Sequence, residues 1–474
     1  MKSIFDKFAK KGKTFIKSMM SHKLSKSLVY DALDIPFDGS DVNYSCMRFA
    51  GESVEGCVAI VREPFADRNY HSSRQTCERL AEIAVERGAR LLLCEYELDG
   101  YDIVKVEDAF DAWIRITAKY RSLYKPKTVC VTGSIGKTST VAMTKSVFNS
   151  GFRTFCNTGN TKSPNYSSRN AQQLTADIQA YIQEVVEAPF GCPGDISTMV
   201  QPQAAIITMI GSSHLDSLGS QKAILESCLT IQRGMPKDGL LILNGDDPLQ
   251  WNAKLERRAV YYAINNPKAD YRAQNIREED GKLFFDIAYG EKTLPVILYC
   301  YGKHNVCNAT AVFAASKWAG LSDEQIVRGL ADFRPYGIRQ NMIDHGGYRL
   351  FLDCYDASPE SMQSALATFQ TIYPKAGGKH IAVLGDIKES GQQVEEFHRE
   401  VGLLCGVSNV DTLICFGKSA HLIAEGAREN GVSDVYEAED DEELDMLLRE
   451  KITRNDVVLF KGSRAIRLER HVDN

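Results

Sequence analysis

The sequence predicts an α/β protein of three domains. These are a mixed α/β N-terminal domain, a central domain with a phosphate loop on a mostly parallel sheet with helices on both faces, and a C-terminal Rossmann-like doubly wound domain. Three observations carry that expectation. Short apolar runs alternate with helix-length segments from about residue 126 onward, the pattern of parallel strands covered by helices. A glycine turn follows one such run and opens a helix at residues 132–139. The alternation then restarts near residue 336. A chain of 474 residues has room for two to four domains, at roughly 100–200 residues each.

Taken in order, residues 1–26 form a basic arm, and residues 27–125 form the N-terminal domain. In that domain 58–61 and 90–94 are short buried strands, 73–88 is a helix rich in Arg and Glu, and 107–123 is a helical stretch ending near Pro126. The central domain covers 126–335. It opens with a strand at 128–132, a glycine turn and a helix from about Lys137 to Phe148, with further apolar strands at 204–210 and 240–243. The C-terminal domain, 336–474, carries strands at 350–352, 381–384, 412–416 and 457–460, separated by helix-length segments. That is a second doubly wound unit of about 140 residues. Residues 434–445 hold eight acids and no base, as suits the solvated start of a helix, where negative charge complements the dipole.

Composition narrows the function classes. Hydrophobic residues are 44% and charged residues 25%, ordinary for a globular protein and wrong for a disordered chain, a collagen or a coiled-coil rod. No apolar run approaches the roughly 20 residues of a membrane-spanning helix. The net charge of -6 argues against wholesale nucleic-acid binding. Thirteen scattered cysteines with no C-x-x-C pair fit reduced thiols in the cytoplasm better than a disulfide framework or a zinc site. The charge is uneven, because residues 1–26 carry eight Lys and one acid. Their apolar residues fall at roughly helical spacing. Two readings stand: a basic amphipathic helix making weak contact with an anionic membrane surface, or a helix packed on its own domain with its lysines solvated.

The chemistry-bearing motif is Val131-Thr132-Gly133-Ser134-Ile135-Gly136-Lys137-Thr138-Ser139. Glycines let the backbone curl so that its N–H groups face phosphate oxygens, and the helix N-terminus adds partial positive charge. Lys137 would reach the β- and γ-phosphates of ATP, and the Thr138 hydroxyl would hold Mg²⁺. Gly133, Ser134, Gly136 and Ser139 complete the nucleotide contacts. The strict pattern wants glycine at 131, so this is a shortened T-G-x-x-G-K-T form.

Residues 132–138 resemble the ATP loop of the Mur ligase family, whose members join an acid to an amino acid amine in peptidoglycan precursor synthesis. Further motifs follow in that family's order. Met209-Ile210-Gly211-Ser212-Ser213-His214-Leu215-Asp216 resembles N-I-G-x-A-H-L-[DE]. Leu243-Asn244-Gly245-Asp246-Asp247-Pro248 is similar to N-x-D-D-P, and residues 302–308 resemble G-x-H-N-x-x-N. Residues 334–339 resemble the arginine turn closing the central domain. Asp353-Cys354-Tyr355-Asp356-Ala357-Ser358-Pro359-Glu360-Ser361-Met362 resembles D-x-Y-N-A-N-P-x-S-M. Residues 384–389 and Lys461-Gly462-Ser463-Arg464 complete the set. The last three motifs are most similar to the family member that adds D-alanyl-D-alanine.

The resemblance implies an acyl-phosphate route, with fixed cations stabilising charge on phosphoryl and then carbonyl oxygens. It implies ATP and Mg²⁺ as cofactors, small-molecule acid and amino acid or dipeptide substrates, and a monomer in the cytoplasm. By residue, it implies Glu187 as a Mg²⁺ carboxylate, with Glu184 as the alternative, and His214 as ligand to a second Mg²⁺. Asn308 would read the adenine edge and Asn305 would bind nucleotide or cap its helix. Arg339 would hold phosphate and Asp353 the ribose. Lys461 and Arg464 would meet the γ-phosphate or the incoming carboxylate, and Asp356 and Ser358 the substrate.

Three departures stand out. Cys228 occupies the place of a carbamylated lysine that supports the family's second Mg²⁺. The D-S-R signature for uridine-diphosphate sugars is replaced by Tyr44-Ser45-Cys46-Met47-Arg48. The segment from Asn157 through Lys162 to Asn165 lacks the usual Asn pair, and Asp356 and Ser358 replace two asparagines. ATP machinery is retained while acid recognition has changed. A divergent ligase is the favoured expectation. A peptidoglycan D-alanyl-D-alanine ligase is the alternative, followed by an ATP-binding regulatory protein with little turnover.

Overall fold

The computed structural model describes residues 24–472, apart from 38, 64–69, 158–160, 188–191, 214, 336 and 389–390. Most of the basic arm therefore lies outside the described residues. A two-stranded antiparallel ribbon, Leu24–Ser25 with Asn43–Tyr44, precedes three larger sheets that follow one another along the chain.

The N-terminal sheet is parallel throughout, in the order Met47–Phe49, Val58–Ile60, Leu91–Cys94, Ile103–Lys105. Side chains alternate between its faces. Ala59, Leu92 and Cys94 pack with Cys77, Leu80 and Ala84 of helix Arg74–Glu86. Val58, Ile60, Leu91 and Leu93 pack with Phe110, Trp113 and Ile114 of helix Ala109–Ser122 on the other face. Asp108 caps that second helix through the Phe110 and Asp111 amides. Trp113 joins this domain to the next by donating its indole N–H to the Ser168 hydroxyl at 3.0 Å.

The central sheet has nine strands. Its parallel part runs Tyr271–Glu279, Arg258–Ala263, Leu240–Asn244, Ala204–Ile207, Lys127–Thr132, Ala180–Glu184, Thr154–Cys156. An antiparallel meander, Tyr271–Glu279, Lys282–Tyr289 and Lys292–Leu298, extends it at one edge. The expected strand at 204–210 ends at Ile207, because the backbone then turns to meet the phosphate loop: Ser134 N donates to Met209 O at 2.8 Å. Val129, Val131 and Ile206 face helices Lys137–Phe148 and His304–Ala319. Cys130, Ala205 and Ile207 face helices Cys192–Val200 and Gln221–Leu229.

The C-terminal sheet begins with an antiparallel hairpin, Asn341–His345 and Tyr348–Asp353, and continues parallel. Its order is Asn341–His345, Tyr348–Asp353, Val457–Lys461, His380–Gly385, Thr412–Phe416, Asp434–Ala438. The last strand in sequence thus lies between the first two parallel ones. Such a switch opens a crevice at the C-terminal ends of strands, and here it sets Asp353 in register beside Lys461. The acidic stretch divides into the edge strand Asp434–Ala438 and helix Asp441–Lys451, whose amide at Glu443 is capped by Asp440.

Helix Pro359–Phe369 lays one face along the central domain. Positions three or four apart share a helix face. Glu360 accepts from the Ser212 hydroxyl, the Ser364 hydroxyl meets His304 Nδ1 at 2.8 Å, and Thr368 lies against Gly302. Just beyond, the Thr371 hydroxyl donates to Glu278 of the meander.

Candidate active site

Strand Lys127–Thr132 delivers the phosphate loop at its C-terminal end. Gly133 has φ +124°, and a side chain there would strike the Thr208 backbone N at 2.9 Å. Gly136, at φ +87°, is the N-cap of helix Lys137–Phe148, and a methyl group there would meet Asn308 Oδ1 at 2.8 Å. Only glycine adopts both conformations without strain. Lys137 is turned back into the loop and is 6% exposed. Its ammonium donates to the carbonyls of Gly133 and Ser134 and lies 2.8 Å from both carboxylate oxygens of Glu187, which is fully buried. Burial opposes the ammonium, but Glu187, with Glu184 and Asp356 behind it, outweighs that and raises the Lys137 pKa. Ser134 is buried in the loop and Ser139 lines the open side.

Two carboxylates stand at the loop. Glu187 grips Lys137. It is Glu184, at the end of the neighbouring strand, that accepts the Thr138 hydroxyl at 2.9 Å. Asn157 Oδ1 receives the Glu184 amide at 2.8 Å and fixes that strand end. Mg²⁺ takes hard oxygen ligands, keeps several waters and shares the nucleotide phosphates. The Thr138 hydroxyl and the Glu184 carboxylate fit that need. Among the described residues no group of three or more His, Cys, Asp or Glu forms an all-protein cage.

Cys228 does not fit a second metal. It is fully buried behind the loop, 3.7 Å from the Thr132 hydroxyl, and burial pushes its thiol up to about 12. A neutral thiol there cannot do the work of an anionic lysine carbamate. His214 lies outside the described residues.

The C-terminal domain supplies the opposite wall. Lys461, 1% exposed, donates to Asp353 Oδ2 at 2.9 Å and to the Asp356 carbonyl at 2.8 Å. Arg339 stacks its guanidinium 3.5 Å over the Tyr355 ring. A cleft lined by Ala142, Asn305, Phe333, Ile338, Arg339 and Tyr355 opens beside Thr138, apolar enough for a base. A larger one, about 1090 Å³, runs from Gly136 to Asp353, Asp356, Glu360 and Lys461.

Asn305 faces the apolar cleft, whereas Asn308 lies against Gly136 and donates to Asn305 at 3.4 Å. Asn305 does not cap its helix; its amide reaches Tyr301 O and Gln340. Ser358 is not turned to the cleft. Its hydroxyl caps helix Pro359–Phe369 reciprocally with Ser361. Arg464 is exposed and paired with Glu469. Sequence reasoning missed the Glu360–Ser212 contact and the placing of His304 between Gln340 and Ser364, where burial lowers its pKa. The chain separation of these partners hides them.

Fold and site define a phosphate-loop protein whose nucleotide cleft is walled by a second, doubly wound domain. The chain belongs to the Mur ligase family. The Mur ligase middle domain matches residues 131–316, and the Mur ligase glutamate ligase domain matches 338–464. The chain is similar to the UDP-N-acetylmuramoyl-tripeptide–D-alanyl-D-alanine ligase of Bacillus subtilis, at 31% identity over 82% of this chain and 85% of that one. The enzyme of that name from Escherichia coli is 28% identical over 95% and 97%. Among solved structures, MurF from Acinetobacter baumannii shares the fold with a TM-score of 0.80, 22% identity and coverage of 95% and 98%. MurF from Thermotoga maritima in complex with ADP gives 0.75, 23%, and 90% and 96%.

Proposed function

We propose that the protein is an ATP-dependent ligase that joins a carboxylic acid to the amine of an amino acid or dipeptide through an acyl phosphate, as a divergent relative of the D-alanyl-D-alanine-adding enzymes. One observation carries this reading: across a single cleft, the phosphate loop faces Asp353, Lys461 and Arg339 of the C-terminal domain.

In this reading the triphosphate lies along residues 133–138, and Lys137 exchanges part of its contact with Glu187 for phosphate oxygens. The adenine enters the apolar cleft beside Asn305, and Asp353 takes the ribose hydroxyls. Arg339, held by Tyr355, reaches phosphate without first having to be ordered. Thr138 and Glu184 would hold Mg²⁺, which when bound would neutralise phosphate charge. A carboxylate oxygen of the acid attacks the γ-phosphorus, and the bond to the β–γ bridging oxygen breaks with its electrons going to ADP. The amine then attacks the acyl carbon, phosphate leaves, and the amine loses a proton. Lys461, fixed by Asp353 and the Asp356 carbonyl, adds positive charge to the wall where oxyanions develop.

A second reading, a peptidoglycan precursor ligase acting on a uridine-diphosphate muramoyl peptide, is favoured by the near full-length match to the Escherichia coli relative. The need for ATP argues for the cytoplasm, and the small-molecule substrates call for no macromolecular partner. The test is mass spectrometry of products after incubation with Mg·ATP, candidate acids including the muramoyl tripeptide nucleotide, and amino acids with D-alanyl-D-alanine. Sustained ADP formation that needs both acid and amine supports ligation, and the product mass separates the two readings. Nucleotide binding without acid- and amine-dependent turnover would refute both.

A further inference from the structure

Lys137, Lys461 and Lys162 flank the phosphate loop, and the first two are committed. Lys137 is spent on Glu187 and two carbonyls, and Lys461 on Asp353 and the Asp356 carbonyl. The third, Lys162, follows strand Thr154–Cys156 and is 23% exposed, and its ammonium comes no nearer than 4.0 Å to Glu184 Oε1. That distance is an ion pair without a hydrogen bond. Glu184 meanwhile accepts the Thr138 hydroxyl. Lys162 lies within electrostatic reach of Lys137, Glu184 and Glu187 in the central domain and of Asp356 across the cleft.

Ordering a long lysine stem costs up to about 2 kcal/mol of rotamer entropy, and withdrawing its ammonium from water costs more. A single 4.0 Å neighbour offsets little of that. Two ammonium groups converging on one loop also repel each other. The ligand that relieves all three costs is a multiply charged anion between Lys137 and Lys162. The buried thiol of Cys228 supplies no anion to hold a second metal.

We propose that Lys162 is a catalytic residue that contacts the γ-phosphoryl group of bound ATP and follows it onto the acid, supplying positive charge that a second metal ion would otherwise bring. The proposal rests on reading this site as an ATP-using ligase. As the acid oxygen bonds to the γ-phosphorus and the bridging oxygen departs with ADP, the Lys162 ammonium keeps its proton and balances charge on the equatorial oxygens.

Calorimetric titration of Mg·ADP and Mg·β,γ-imido-ATP into the wild type, Lys162→Met and Lys162→Arg tests it. Lys162→Met is expected to weaken the triphosphate analogue by roughly 10- to 100-fold, the range of a charge-assisted hydrogen bond, and ADP by no more than about twofold. Lys162→Arg is expected to recover most of that loss. Equal weakening of both nucleotides makes Lys162 a mere prop for Glu184 and overturns the proposal, as does no weakening at all. If the wild type binds both nucleotides, either result leaves the ligase reading intact. If the wild type binds neither, that reading falls and the proposal falls with it.

Discussion

Replacing Lys137 with Met is expected to destabilise the nucleotide-free protein more than replacing Lys137 and Glu187 together. The pair is nearly dry, its side chains 7% and 0% exposed at 2.8 Å. Removing one partner of a buried ion pair costs about 3–5 kcal/mol, because the other charge is left uncompensated. The Gly133 and Ser134 carbonyls lose their donor as well. In Lys137→Met/Glu187→Gln no buried charge remains, so about 2–3 kcal/mol should return. A central domain of some 200 residues shifts its melting point by roughly 2–4 °C per kcal/mol. Lys137→Met should therefore melt about 6–20 °C lower, and the double variant should regain about half of that. Differential scanning fluorimetry without nucleotide reads this directly. Equal melting points for single and double variants would show that Glu187 carries no buried charge against Lys137. Because the folded pKa of Lys137 lies above 10.5, the pair's contribution is complete below pH 10.5 and is lost as pH rises through the folded value. Neither variant is expected to turn over ATP.

Gly136→Ala forces a left-handed conformation on alanine, about 1–2 kcal/mol, and drives a methyl group into Asn308. Nucleotide affinity should fall by about tenfold or more, and an unchanged Kd by calorimetry would sink the loop geometry. Ser358→Ala removes a reciprocal helix cap. Urea unfolding should show a loss of about 1 kcal/mol, with the amine KM little changed; a raised KM at full stability would return Ser358 to the substrate site. His398 accepts the Ile387 amide at 3.0 Å and burial lowers its pKa below 6.5. Its contribution is present above pH 6.5 and lost as pH falls through the folded value. The C-terminal domain should lose stability as pH falls below about 6.5, and less so in His398→Gln. Identical acid profiles would refute this.

Strands buried on both faces were legible as apolar runs. Lys127–Thr132, Leu240–Asn244 and His380–Gly385 fall within a residue or two of where the sequence placed them. The meander at 271–298 was not, because each strand buries one face only, so that buried and more exposed positions alternate and Pro295 interrupts its last apolar run. Strand Ala180–Glu184 was missed because it is short and ends in Gln and Glu, although all five residues are buried. That miss bears on the site, since the strand end decides which carboxylate meets Thr138. Spacing from Lys137 selects Glu187, while only the pairing of Glu184 with Val131 brings Glu184 to the hydroxyl. Lys162 read only as part of a segment lacking an asparagine pair, since its approach to Glu184 is set by the fold.

The seam along helix Pro359–Phe369 has a thermodynamic consequence. Its hydrogen bonds to the central domain join hydroxyls to an imidazole and two carboxylates. Parting the seam wets these groups together with the apolar surface of Leu215 and Tyr301, which pack against the C-terminal core. Apolar and polar exposure shift heat capacity in opposite directions, so opening along this seam should carry little heat-capacity change. The balance between open and closed cleft should then drift only gently with temperature, while folding of the apolar sheets beneath it follows a steep curve.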